Sequence, residues 1–276
     1  MCRMPRLLAT SALLALTVLG GAVHAADDKS APAKASPAAQ AAAAAPKPAS
    51  AQERIEAQRL PVLGRAAFWA REAELDPRDA VAGVNLAGAL RTLGRIDEAQ
   101  TAADRVLVVH PQDLDALLEA ARARLAHGDG FYAIDLAKRA QIVAPKDWRP
   151  LTLLAVAYEQ SERDQEALAA HRAAVTLAPS EATPLANLAM FQAGHGDLAT
   201  AETLLRQAVT LKDAGAPVRL NLALVLGLNG KIAEAEALSR RDLPPEQAAS
   251  NIAWMRDATA KPAAGRSYEG VSKAGS

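Results

Sequence analysis

The protein has 276 residues, equal numbers of basic and acidic side chains (31 each), and one cysteine, Cys2. A balanced charge disfavours a nucleic-acid partner, which would call for a basic face. A single thiol rules out a disulfide framework or a cysteine-built metal centre.

In sequence order, Arg3 and Arg6 precede an uncharged apolar run from Leu7 to Val23, and Val23-His24-Ala25 then meets Ala26 and two aspartates. That layout predicts a secretory signal peptide over 1–25, cleaved after Ala25. A run of about seventeen residues lies at the short edge of what spans a bilayer, so an uncleaved anchor is the weaker reading. Cleavage would remove Cys2, and no cysteine ends the apolar run, so no direct lipid anchor is evident. It would also leave 29 basic against 31 acidic residues, since only Arg3 and Arg6 are lost. Residues 26–51 are mostly Ala, Pro, Lys and Ser, too small to bury, and predict a disordered linker. Residues 260–276 share that character and predict a disordered tail. The expected location is the periplasm, with outer-membrane association through partners.

Residues 52–79 read as an N-terminal partial repeat. Leu63 to Pro77 looks like the second half of an earlier unit, with Ala73 one place off the later alanine register, and Phe68 and Trp69 are expected to cover the exposed end of the stack. From there on the sequence repeats. Prolines recur every 34 residues at Pro77, Pro111, Pro145 and Pro179. The same interval links Ala87, Ala121, Ala155, Ala189 and Ala223, and again Ala99, Ala133, Ala167, Ala201 and Ala235. It also links Gly94, Gly128, Gly196 and Gly230, with Glu162 at the one missing place.

Each position has a physical reason. Alanines on the buried faces let paired helices approach closely, the glycine suits the left-handed residue that ends a first helix, and a helix rarely continues past the proline. Pro150 and Pro184 fall near the starts of first helices, where a missing N–H costs nothing. No stretch alternates as a strand does, so the fold is expected to be all-α.

These residues resemble the tetratricopeptide repeat. The resemblance implies a right-handed α-solenoid of about five helix pairs, framed as units 80–113, 114–147, 148–181, 182–215 and 216–249, with first helices lining a concave groove. The repeat should reach its proline register again near 247; instead the chain turns at Leu243-Pro244-Pro245. A new helix is expected over 242–259, capped by Asp242 or a neighbour. Ala248, Ile252 and Met255 share one stripe of it, which Thr259 extends weakly, giving the one-sided helix that a solenoid end requires.

Catalytic chemistry is not indicated. Nucleophile-elbow, phosphate-loop and dinucleotide-binding patterns are absent, and no cofactor is implied. His127 and His195 are in phase but two repeats apart, which suits helix-end histidines better than a shared metal. His171 stands where the family pattern has Phe and is expected to pack, not react. The reading is a non-enzyme.

What remains is the groove. In the family, the first-helix position held here by Asn85, Glu119, Leu153, Asn187 and Asn221 points inward, and an asparagine there grips the backbone of an extended peptide. A side-chain amide both donates and accepts, matching a peptide unit. The family's carboxylate clamp wants Lys one residue earlier, where this protein has Val84, Leu118, Thr152, Ala186 and Leu220. Arg122 and Met190, one turn on, complete the candidate groove with Asn85, Asn187 and Asn221.

The closing segment also resembles a narrower group. Asp242, Leu243, Pro244, Asn251, Trp254 and Arg256 are similar to the ending of exported tetratricopeptide proteins, the TadD-like component, of the tight-adherence (Tad) system that assembles Flp-type pili. That resemblance implies protein partners among pilus or secretin components, although the lipid-attachment cysteine of the group is missing. The alternative class is a periplasmic regulator docking onto a cell-envelope enzyme. A neighbouring gene for a pilus ATPase or secretin would favour the first, and one for a hydrolase or synthase the second.

Overall fold

The computed structural model describes residues 47–260, so the expected signal peptide, most of the linker and the tail lie outside the described residues. The described residues form thirteen α-helices and no strand. A short pair opens the stack, α1 (Ala51–Ala57) and α2 (Val62–Leu75). Five full pairs follow: α3 (Ala80–Thr92) with α4 (Ile96–Val109), α5 (Leu114–His127) with α6 (Gly130–Val143), α7 (Arg149–Gln160) with α8 (Asp164–Leu177), α9 (Ala182–Gly194) with α10 (Leu198–Ala208), and α11 (Ala216–Leu228) with α12 (Ile232–Asp242). A last helix, α13 (Pro245–Ala260), closes the series.

Four helices, α1, α3, α5 and α10, start where a short polar side chain satisfies an orphan N–H group. Asp79 and Asp113, one repeat apart, accept from Ala82 N (3.0 Å) and Ala116 N (2.8 Å). In the fourth full pair Glu181 makes no such bond; Asp213, from the turn after α10, reaches across to Ala182 N at 2.9 Å instead. First helices end alike: Gly94, Gly128, Gly196 and Gly230 have φ between +75° and +91°. The N–H of the residue after each bonds back to a carbonyl of the last helical turn, as Arg95 N does to Leu90 O at 2.9 Å.

Glu162 holds the same place with φ +57°, and Arg163 N still bonds Tyr158 O at 2.9 Å. A non-glycine residue there costs roughly 1–2 kcal/mol, partly offset because glycine loses more entropy on folding. Glu162→Gly should therefore stabilise the protein by about 0.5 kcal/mol, read as a higher urea midpoint at unchanged slope. A lower midpoint would contradict it.

The in-phase alanines form the seams. Ala87, Ala121, Ala155 and Ala189 are fully buried, as are Ala99, Ala133, Ala167, Ala201 and Ala235. At the first end the seam changes character. Glu72 occupies the register of Ala140, Ala174 and Ala208, and is 1% exposed. Its carboxylate accepts from Arg54 (2.9 Å), Arg71 (3.1 Å) and Ala49 N (2.8 Å). Arg71 also donates to Lys47 O at 3.0 Å, so residues 47–50 are bound to α2. Trp69 is buried against Ala57 and Ala82, with Phe68 edge-on to it at 5.0 Å.

At the other end α13 packs on α12 and α11, the place a further first helix would take. Its buried residues are Ala248, Ile252 and Met255. Met255 lies so close to α11 that a Cβ on Gly227 would collide with its sulfur. Asp242 does not cap α13, contrary to the sequence expectation. It is the last residue of α12 and accepts a two-pronged bond from Arg219 of α11, at 2.7 and 2.6 Å. That bond holds its carboxyl below the usual range. The guanidinium fork outcompetes the backbone N–H groups for it.

Candidate functional site

The curvature follows from which helices touch. Each first helix packs on its own second helix and each second helix on the next first. First helices also pack on one another, α3 on α5, α5 on α7 and α9 on α11, while among the described residues no second helix packs comparably on another. The first helices therefore form the tighter, inner layer of the solenoid, and their outward stripe lines its concave face.

That stripe is legible in burial. In α9, Leu185, Ala186, Leu188 and Ala189 are buried while Thr183, Asn187, Met190 and Gly194 face outward. The equivalent outward residues are Pro217, Asn221, Leu224 and Leu228 in α11, and Arg149, Leu153, Val156 and Gln160 in α7. In α5 they are Asp115, Arg122 and Ala126, with Glu119 of the same register buried, and in α3 Val81, Asn85, Gly88 and Thr92. Along this face charge is confined to the α5 and α7 positions, while α9 and α11 present only uncharged and apolar side chains.

The five candidate residues do not share one condition. Asn85 is occupied within the molecule: its Oδ1 accepts from Gln58 at 2.8 Å and its Nδ2 donates to Val81 O at 2.8 Å. Arg122 is tied to Glu119 at 3.0 Å. Glu119, 5% exposed, also accepts from Arg91 of α3 at 2.5 Å. Buried carboxylates persist where such partners are present. Sequence reasoning placed Glu119 in the right register but missed its clamp, because Arg91 lies 28 residues upstream and outside the repeat pattern.

Asn187 and Asn221 differ from Asn85. Both are half-buried, and neither side-chain amide has a hydrogen-bond partner among the described residues. Met190 and Leu224 flank them, half-buried against the core of the last two units. The residues one position earlier do not form a cationic clamp: Leu118 and Ala186 are buried, and Thr152 donates to Arg149 O at 2.8 Å.

The histidines have structural partners. His171 is buried beside Phe191, ring centres 5.3 Å apart, and its Nε2 lies 2.6 Å from Glu159. His195 Nδ1 meets Phe191 O at 2.8 Å, and that bond, with Asp164 assisting, raises its pKa. His127 lies between Asp97 (3.4 Å) and Asp129 (3.0 Å). No group of three His, Cys, Asp or Glu side chains converges as metal ligands among the described residues.

No family model matches the sequence, and no curated protein is similar to it. Solved structures do match. A tetratricopeptide-repeat protein of Thermus thermophilus is 25% identical, with a TM-score of 0.57 over 64% of this chain and 98% of its own. A tetratricopeptide-repeat protein of Parabacteroides merdae is 12% identical, with a TM-score of 0.62 over 74% of this chain and 79% of its own. The fold is that of tetratricopeptide-repeat proteins, a scaffold suited to protein–protein interaction.

Proposed function

We propose that this protein is a non-catalytic, exported adaptor whose concave face binds an extended protein segment during assembly of Flp-type pili. The observation that carries the binding reading is the pair Asn187 and Asn221. They repeat at one register of adjacent first helices and have no partner among the described residues. Each amide can accept from a backbone N–H and donate to a carbonyl. Flanked by Met190, Leu224, Leu153 and Val156, they suit an extended segment with apolar side chains.

The pilus assignment rests on the ending, where Asp242, Leu243 and Pro244 precede Asn251, Trp254 and Arg256. Trp254 is 57% exposed on α13, off the capping stripe, where a partner can reach it. Periplasmic location follows from the expected signal peptide.

Replacing Asn187 and Asn221 together by alanine should weaken binding of the partner recovered by periplasmic crosslinking about tenfold or more, since each amide contributes about 1 kcal/mol. The melting temperature should stay within a few degrees, because both amides are unpaired. Unchanged binding would overturn the groove reading. Loss of the gene should abolish surface Flp pili; normal piliation would overturn the pilus assignment and leave the adaptor reading intact.

A further inference from the structure

Exposed aliphatic side chains gather on one part of the outer layer. Val108 is 83% and Val109 42% exposed at the end of α4; one repeat on, Ile142 is 79% and Val143 40% exposed at the end of α6, and Leu177 of α8 is 38% exposed. In the later units the register of Val108 and Ile142 passes to Thr176 and Thr210. The apolar character therefore belongs to the first units and not to the repeat. Beside the two valines of α4 lies a cavity of about 470 Å³ between α2, α3 and α4, walled by Pro77, Leu86 and Val106, with Arg105 and Glu74 at its rim. A departure from the repeat makes room for it: Gly83 stands where the following units bury Leu117, Leu151 and Leu185. Val106, which stands where they have Ala140, Ala174 and Ala208, fills the place of a Cβ on Gly83. A glycine and a valine together still occupy less than a leucine and an alanine.

The charge around these side chains is one-sided. The C-terminal halves of α4, α6 and α8, residues 103–109, 137–143 and 171–177, carry Arg105, Lys138, Arg139 and Arg172 against the single carboxylate of Asp104, which Arg124 takes at 2.7 Å. Arg105, Lys138 and Arg172 are exposed and form no ion pair among the described residues. In the adjoining turns Asp79 and Asp113 cap helices, and Asp147 is bound by Arg149 at 2.6 Å. The helix dipole favours cations at these ends, but it gives no reason for valine and isoleucine in water. Monomeric proteins rarely gather exposed apolar side chains without a use for them.

We propose that this part of the convex face rests on a lipid surface bearing anionic headgroups. Val108 and Ile142 enter the boundary between headgroups and acyl chains, Arg105, Lys138 and Arg172 meet the phosphates, and the cavity beside Val108 extends the apolar contact. Projecting aliphatic side chains among Lys and Arg are the composition of a membrane-surface face, and a negative leaflet attracts basic residues within about a Debye length. A protein hot spot is instead a desolvated pocket enriched in Trp, Tyr and Arg. No helix among the described residues is long and apolar enough to cross a membrane, so the contact is with the surface alone. The first helices face the other way, which leaves the concave groove open and makes attachment independent of what the groove binds.

The test uses the full-length protein with Cys2→Ser, in which Ile142→Cys carries an environment-sensitive nitrobenzoxadiazole label and Thr183→Cys, on the concave face, serves as the control. Each is titrated with vesicles of phosphatidylglycerol and phosphatidylethanolamine in equal parts, and with vesicles of phosphatidylcholine alone. Fluorescence at 142 should rise and shift to the blue with the anionic vesicles and little with the neutral ones, and should stay constant at 183 with either. Because the readout is the environment of one residue, attachment through the apolar run of residues 7–23 does not imitate it. Replacing Arg105, Lys138 and Arg172 together by glutamine should weaken the response at 142 at least about tenfold, since each cation near an anionic surface contributes about fivefold. Val108→Ser should weaken it further, and circular dichroism would verify that the variants fold. No change at 142, an equal change at 183, an equal response to phosphatidylcholine, or an unchanged response in the triple variant would overturn the proposal. A change at 142 with a protein partner and with neither vesicle would assign the face to protein and overturn it as well.

Discussion

Replacing Ile252 and Met255 together by alanine should unfold the last pair of helices and render the protein prone to aggregate. Both side chains are under 5% exposed, and truncating a buried Ile or Met costs about 2–5 kcal/mol each. In a solenoid that loss is not spread over the molecule; it falls on the terminal units, which contact only their neighbours. Once α13 detaches, Gly227 and the apolar faces of α11 and α12 meet water. Hydrogen exchange should accelerate in α11 and α12 while α5 and α6 keep their protection. Unchanged protection in α11 and α12 would show that α13 does not cap the stack.

Glu202→Gln should destabilise the protein by about 2 kcal/mol at neutral pH, and the deficit should shrink in acid. Glu202 of α10 ties the turn between α11 and α12 to its own helix. It accepts from Lys231 Nζ (2.6 Å), Asn229 Nδ2 (2.8 Å) and Arg206 Nε (2.8 Å). The hydrogen bond from Lys231 outweighs the effect of burial and, with Arg206 and Asn229, takes the carboxyl from its ordinary 4.5 to about 2. A depressed carboxyl stabilises the fold fully above its unfolded value and loses that contribution as pH falls through the folded one. The window therefore runs from about pH 4.5 down to about pH 2. Glutamine cannot titrate, so urea unfolding of the two proteins should converge across that window. A difference that stays constant from pH 7 to acid would contradict the assignment.

The repeat made most of the fold legible. Alanine registers marked the helix seams because only a small side chain permits that approach. The place of Glu162 in the glycine series located a left-handed residue that no glycine signals. The Ala248, Ile252 and Met255 stripe identified the capping face of α13 because helical periodicity is a local property.

What escaped were pairings between side chains far apart in sequence. Asp242 looked like a helix cap from its neighbours alone, and only the position of Arg219 on α11 shows otherwise. Asn85 matched Asn187 and Asn221 by register, yet Gln58, in the irregular turn after α1, consumes its amide. Glu72 in an alanine register was a visible departure, but its meaning depended on Arg54 and the backbone at Ala49. Repeat position reports where a side chain sits; its partners come from whichever segment the fold brings beside it.

The concave face, not the outer one, is proposed to receive the partner. A photo-crosslinking residue placed at Met190, on the outward stripe of α9, tests this against the same residue at Ile142, 79% exposed on the second helix α6. A specific crosslinked product is expected from position 190, lost in the Asn187/Asn221 double alanine variant, and none from position 142. Crosslinking from 142 with none from 190 would contradict it.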